Sequence, residues 1–150
     1  MKWLQKIPVA VLILTVCVIG VNIYVNRGLP TAKIVIKGTR IPVELAVTGK
    51  EKERGLSGRK ELKPGTGLLF LYDHKEVFPF WMKEMQFPLD FVWIDGNMVI
   101  DLTENVPVPD GNNLHIIHPR SAVDKILELN VGDIQSIGIQ VGDKVTFVDR

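Results

Sequence analysis

The sequence predicts an all-β domain, a sandwich or barrel-like body with one or two short helices, preceded by one N-terminal transmembrane helix. Three observations carry this reading. From residue 32 onward, short alternating or wholly apolar runs recur between turns that contain Gly or Pro. No long amphipathic helix separates successive runs, which argues against a doubly wound α/β fold. Residues 7–25, IPVAVLILTVCVIGVNIYV, carry no charge, and only Asn22 is strongly polar.

That apolar run is close to the roughly 20 residues a membrane span needs. Lys2 and Lys6 precede it and only Arg27 follows closely. The positive-inside rule then keeps residues 1–6 in the cytoplasm and exports the rest. A buried core helix is the alternative, but this run is apolar on every face and sits at the basic N-terminus. Small residues suited to signal cleavage appear only near Thr31 and Ala32, so an uncleaved signal anchor is favoured. A lipoprotein signal is disfavoured, because bulky Val16 precedes Cys17 and Cys17 lies mid-span. The expected order is a basic N-terminus at 1–6, an anchor at 7–25, a linker at 26–31 and an exported β-rich domain at 32–150.

Cys17 is the only cysteine. The exported domain therefore has neither a disulfide nor a thiolate, which excludes Cys-His catalysis and cysteine-ligated zinc. Removing Lys2, Lys6 and Arg27 from the 18 basic residues leaves 15 against 17 acidic ones, a formal charge of −2 from Gly28 onward. That balance, with no basic run, argues against nucleic acid as a partner.

The elements follow in order. Residues 32–37 and 39–48 alternate and read as a hairpin turning at Gly38. Pro42 lacks a ladder donor, so it asks for an edge or a bulge. Thr48 with Glu51 is a capping-box pattern that opens a short helix over 49–56, stopped by Gly58. Pro64-Gly65-Thr66-Gly67 is a turn before an apolar strand at 68–72. Residues 78–83 are extended, because Pro79 and Pro88 push Phe78 and Phe87 out of the helical region. Strand 91–94 ends in the turn Asp95-Gly96-Asn97 and returns as 98–106. Residues 107–113 form a polar loop, and 122–129 fit a strand or a helix. Residues 133–137 suit one helical turn, and 144–148 suit a last strand.

Several runs resemble the family called domain of unknown function 192. Arg54-Gly55-Leu56 with Arg59, and Gly67-Leu68-Leu69-Phe70, are similar to its first half. Phe80-Trp81-Met82-Lys83 followed by Pro88-Leu89-Asp90 and Ile94-Asp95 resembles its central signature. Leu127-Glu128-Leu129 with Gly132, then Gly138 and Val141-Gly142-Asp143, resembles its closing segment. The resemblance spans about residues 34–148. It implies a compact β-rich fold, often exported or anchored, and no established activity.

The central run holds the candidate chemistry. Alternation puts Phe78, Phe80 and Met82 on one face and Trp81 and Lys83 on the other. Trp81 beside Lys83 offers stacking and charge; the ordinary alternative is an aromatic at the core edge with a snorkelling lysine. Asp90 suits a turn cap, a partner for Lys83 or Arg54, or a base. Arg54 suits a carboxylate such as Asp90 or Glu104, or an anion in a cleft. His115 and His118, with Asp110 nearby, make a weak metal set. Met82 and Met85, with Trp81 and His74, suggest copper(I), although filling core gaps is the ordinary task of Met. No Ser-His-Asp spacing, nucleotide-binding glycine loop or His-Glu-x-x-His run is present.

The resulting expectation is a non-enzymatic, membrane-anchored envelope module. It binds a small ligand, an envelope polymer or a partner protein through Arg54, Trp81, Lys83, Asp90 and Glu104. The alternative is an envelope hydrolase or lyase with Asp90 and Glu104 as an acid/base pair. Copper(I) binding is a third reading. No cofactor or resident metal is expected, and the partners are the membrane, through 7–25, and an unknown envelope ligand or protein.

Overall fold

A computed structural model describes residues 28–111 and 116–148. The anchor expected at 7–25 lies outside these residues. Among the described residues no helix is long and apolar enough to cross a membrane.

The fold is mostly β, as expected. β1 (Thr31–Ile36) and β2 (Thr39–Ala46) form the first hairpin. Its turn, Lys37-Gly38, has φ of 54° and 79°, the pair of positive values that a two-residue hairpin matching strand twist requires. α1 (Gly49–Arg54) follows, and Thr48 and Glu51 close the capping box reciprocally. β3 (Gly67–Glu76) then runs parallel to β2. β4 (Phe80–Trp81), β5 (Leu89–Asp95) and β6 (Met98–Val106) come next. β7 (Ile116–Ile117), β8 (Val123–Asn130), α2 (Asp133–Ile137) and β9 (Val145–Val148) complete the order.

Seven strands form one sheet in the order β6-β5-β8-β3-β2-β1-β9, and β4 pairs with β7 in a separate ribbon. The sheet curls into a half-barrel, and its two edges meet at one point. There Val99 N–H donates to the Asp143 carbonyl at 2.9 Å, and Gly142 N–H donates to the Val99 carbonyl at 2.8 Å. Inside the curl, Ile34, Ile36, Val43, Leu69, Val92 and Leu127 pack with Ile134 of α2. The outer face is apolar too. Leu68, Phe70, Phe91, Trp93 and Ile126 are buried there under Leu56, Phe80 and Met82 from the connecting segments.

Two elements take their form from their surroundings. Residues 122–129 are a strand, because β5 and β3 flank β8 and satisfy its backbone on both sides. Residues 78–83 pair only at β4, since the chain from 77 to 88 is a lid over the outer face. Glu84 takes φ of 57° to turn it. Pro42 sits within the sheet without harm. Leu45 N–H donates to the Pro30 carbonyl beside β1, so by alternation the Pro42 nitrogen faces the other side. There β3 begins only at Gly67, opposite Val43.

Asp90 is fully buried, at 0% exposure. Its Oδ1 accepts from Asn105 N–H at 2.9 Å, and its Oδ2 accepts from Gly132 N–H at 2.9 Å and Ile134 N–H at 3.1 Å. Asn105 lies at a bulge where β6 carries an extra residue against β5, and its φ is 56°. Gly132 is the N-cap of α2 and has no side chain to cap with, so a strand carboxylate supplies the cap. Asp90→Ala is expected to destabilise the fold by roughly 3–5 kcal/mol, since three backbone donors, one buried and two part-buried, lose their acceptor. Urea denaturation checks the loss, and hydrogen exchange should quicken at Asn105, Gly132 and Ile134. Gly67→Ala should cost roughly 1–3 kcal/mol by overpacking. An added Cβ there would lie 3.0 Å from the Glu128 carbonyl oxygen and 2.8 Å from Leu127 Cδ1.

Candidate functional site

The site lies where the lid meets the end of α1. At Gly55, φ is 47°, a value that a Cβ would strain. The turn there leaves Arg54 exposed and buries Leu56 at 1% exposure. The following residues are tied to the lid. Ser57 Oγ donates to the Lys83 carbonyl at 2.9 Å, and Gly58 N–H donates to the Glu84 carbonyl at 3.0 Å. The lid's own anchor is Phe80, which meets Phe70 edge-on at 4.9 Å and Trp93 edge-on at 5.7 Å.

Between these parts opens a pocket of about 180 Å³. Phe70, Tyr72, Phe80 and Trp81 supply its aromatic walls; Lys52, Glu53 and Arg54 come from α1, and Glu128 comes from β8. The Lys52 ammonium stands 4.1 Å from the centre of the Tyr72 ring. A broader depression beside it is lined by Arg54, Ser57, Lys83 and Glu84.

Glu128 is the unusual member. It is 5% exposed, and Oε2 has no hydrogen-bond partner. Its strand neighbours are Leu68 on β3 and Phe91 on β5. Burial pushes its pKa up to about 8, and the nearby Arg59 charge only partly opposes this. Arg59 is already committed. Its guanidinium donates to both Glu44 carboxylate oxygens at 2.8 Å, which lowers the Glu44 pKa. Glu128 is therefore mostly a neutral acid at pH 7. Tyr72 is pushed to about 12, first by burial and then by the Glu128 charge, so it stays a phenol.

The residues singled out from the sequence part company here. Trp81, 46% exposed, lines the pocket, Arg54 lines both hollows and Lys83 lines the outer one. Asp90 is absent from any exposed surface; its oxygens are taken by backbone amides rather than by Arg54 or Lys83. Glu104 is exposed on β6 and lines neither hollow. Met82 is fully buried against the outer face, which removes it from any copper(I) site at the surface. His115 lies outside the described residues. His74 is exposed between Asp73 and Glu76, and their hydrogen bonds raise its pKa. Among the described residues no cluster of His, Cys, Asp and Glu could hold a metal ion.

Sequence reasoning passed over Glu128 as a site residue. The signal was present: a lone carboxylate between two leucines in an apolar strand. With both neighbours facing the inner core, it had to face the other buried layer.

The domain of unknown function 192, Uncharacterized ACR, matches residues 32–147. The chain belongs to this family. Two crystal structures are similar to this domain-192 protein. One, from Sinorhizobium meliloti 1021, is provisionally described as a transcription regulator. It is 29% identical, with a TM-score of 0.74, and the match covers 81% of this chain and 97% of that one. The other is a protein of unknown function from Novosphingobium aromaticivorans DSM 12444. It is also 29% identical, with a TM-score of 0.72, covering 81% of this chain and 88% of that one. No curated protein matches the chain.

The raised Glu128 pKa has a signed consequence. An unfolded chain ionises Glu128 near 4.5, whereas the folded chain holds the proton until about 8. This group's contribution to stability is therefore full below about pH 4.5 and is lost as pH rises through about 8. The loss is on the order of 4 kcal/mol. Urea denaturation at pH 5 and pH 8 should show it, and Glu128→Gln should flatten the difference.

Proposed function

We propose that this domain-192 protein is a non-enzymatic binding module whose pocket holds a small molecule or one side chain of a partner. The observation that carries this reading is the Glu128 carboxyl, buried without a partner at a pocket lined by aromatic and charged groups. Native buried polar atoms are paired as a rule, so an unpaired carboxyl oxygen on a side chain that lines a hollow marks a place for a ligand atom. The pocket is small against the roughly 300–1,000 Å³ typical of drug-sized ligands, which limits the occupant to a small group. We extend this to the setting. The apolar segment at 7–25 anchors the chain, and the domain works on the outer side of the membrane.

An acid/base enzyme using Asp90 and Glu104 is the weaker reading. Asp90 is sealed and Glu104 is exposed, and neither lines the pocket. A nucleic-acid role is weaker too, because from Gly28 onward acidic residues outnumber basic ones.

Fragment screening of the full-length chain by ligand-observed NMR tests the binding reading, with the Trp81 indole as a fluorescence reporter. At least one class of small polar fragment should bind. Trp81→Ala should weaken it by about tenfold, while stability shifts by only about 0.5 kcal/mol, as for most surface changes. A screen in which nothing binds, or in which Trp81→Ala leaves every affinity intact, rejects the module.

A further inference from the structure

The binding reading leaves the ligand's chemistry open, and the pocket's own groups narrow it. The groups that face Glu128 from each element can be named. From β3 comes the Tyr72 phenol, and from the loop after α1 comes Arg59, already paired with Glu44 of β2. From α1 come Lys52, Glu53 and Arg54 around the pocket. From β5 and the lid come Phe91, Phe80 and Trp81, which bring aromatic surface and no charge. None of these donates a hydrogen bond to Oε2.

The walls suggest what does. Four aromatic side chains line the same pocket as the carboxyl. The faces of such rings attract cations. This protein already uses that attraction, holding the Lys52 ammonium over Tyr72. A carboxyl that shares a pocket with aromatic walls therefore suits a positively charged donor, which draws it into its ionised, accepting form. A carboxylate ligand entering the same place would meet a like charge or force the acid to stay protonated. At the rim, Arg54 is exposed and makes none of the ion pairs found among the described residues. It is placed to receive an anion.

We propose that the pocket takes a primary ammonium group, its N–H bonds directed to the Glu128 carboxylate and its charge against the aromatic walls. The molecule carrying it has an anionic trailing end that meets Arg54. The assignment rests on the binding reading above and specifies the ligand class of that same pocket. Proton balance follows. The ammonium enters with its charge, Glu128 gives up its proton, and the buffer receives it. At pH 7 and below, binding therefore releases close to one proton, and affinity rises about tenfold per pH unit. A neutral or anionic ligand would show no such release.

Isothermal titration calorimetry on the full-length chain tests this, using two buffers of different ionisation enthalpy at pH 6 and pH 7. The probes are ε-aminocaproate, caproate and hexylamine. ε-Aminocaproate should bind with proton release and with affinity about tenfold higher at pH 7 than at pH 6. Caproate should not bind. Arg54→Ala should weaken ε-aminocaproate about tenfold and leave hexylamine unchanged. Glu128→Gln should abolish the proton release and weaken both amines. The proton count on the unaltered chain decides the matter even if that variant folds poorly. Caproate binding as well as ε-aminocaproate, or amine binding without proton release, overturns the ammonium assignment. So does failure of both amines to bind. In each case a positive fragment screen keeps the pocket as a binding site, and a negative one removes both readings.

Discussion

One buried carboxylate holds the curled sheet in register with its plug. Asp90 accepts hydrogen bonds from a bulge on β6 and from the first turn of α2. These elements lie far apart in sequence, and the side chain joins them by presenting an oxygen to each. Without that acceptor, Asn105 would have little reason to hold a left-handed conformation, and the Gly132 and Ile134 amides would be buried without partners. α2 in turn places Ile134 inside the curl, where it packs with residues from β1, β2, β3, β5 and β8. The inner core, the bulge and the short helix thus share one electrostatic constraint.

The outer face of the sheet imposes a second demand. It is apolar too, and the only second sheet described over it is the two-stranded β4-β7 ribbon. The chain meets this with connecting segments: α1 and its following turn on one side, the lid on the other. The Ser57 and Gly58 bonds to the Lys83 and Glu84 carbonyls join the two halves. Side chains of irregular segments tile a sheet less completely than a packed sheet would. The gap falls over Glu128, in the row that runs Glu44, Leu68, Glu128, Phe91, Thr103 across five strands. The pocket is a consequence of how this fold covers its back.

Much of this was legible in residues that act locally. The capping box at Thr48 and Glu51, the turn at Asp95-Gly96-Asn97 and the strand at 98–106 depend on neighbours in sequence, and all read correctly. The facing of Phe80 and Met82 inward and Trp81 outward followed from alternation alone. What escaped was long-range. The fate of Asp90 depends on amides 15, 42 and 44 residues away, and no local pattern announces them. The strand at 122–129 stayed ambiguous because a short apolar run takes its state from its partners. Glu128 was hidden for a related reason: its burial on both sides comes from β3 and β5, and its role in the pocket comes from α1 and the lid.

Asp90 and Glu128 are the same chemistry treated in opposite ways. Both are carboxyls buried in the same sheet. Asp90 gains three amide donors, which is how a folded chain makes a buried acid part of its frame. Glu128 leaves Oε2 with none, and burial raises its pKa instead. A leucine at 128 would continue the apolar surface made by Leu68 and Phe91 without the desolvation penalty of an acid. The carboxyl therefore works against stability as pH rises, and it does so at the wall of the aromatic-lined hollow. The domain uses its satisfied acid for architecture and keeps its unsatisfied acid at the wall of a hollow, where the proposed ligand would pair with it.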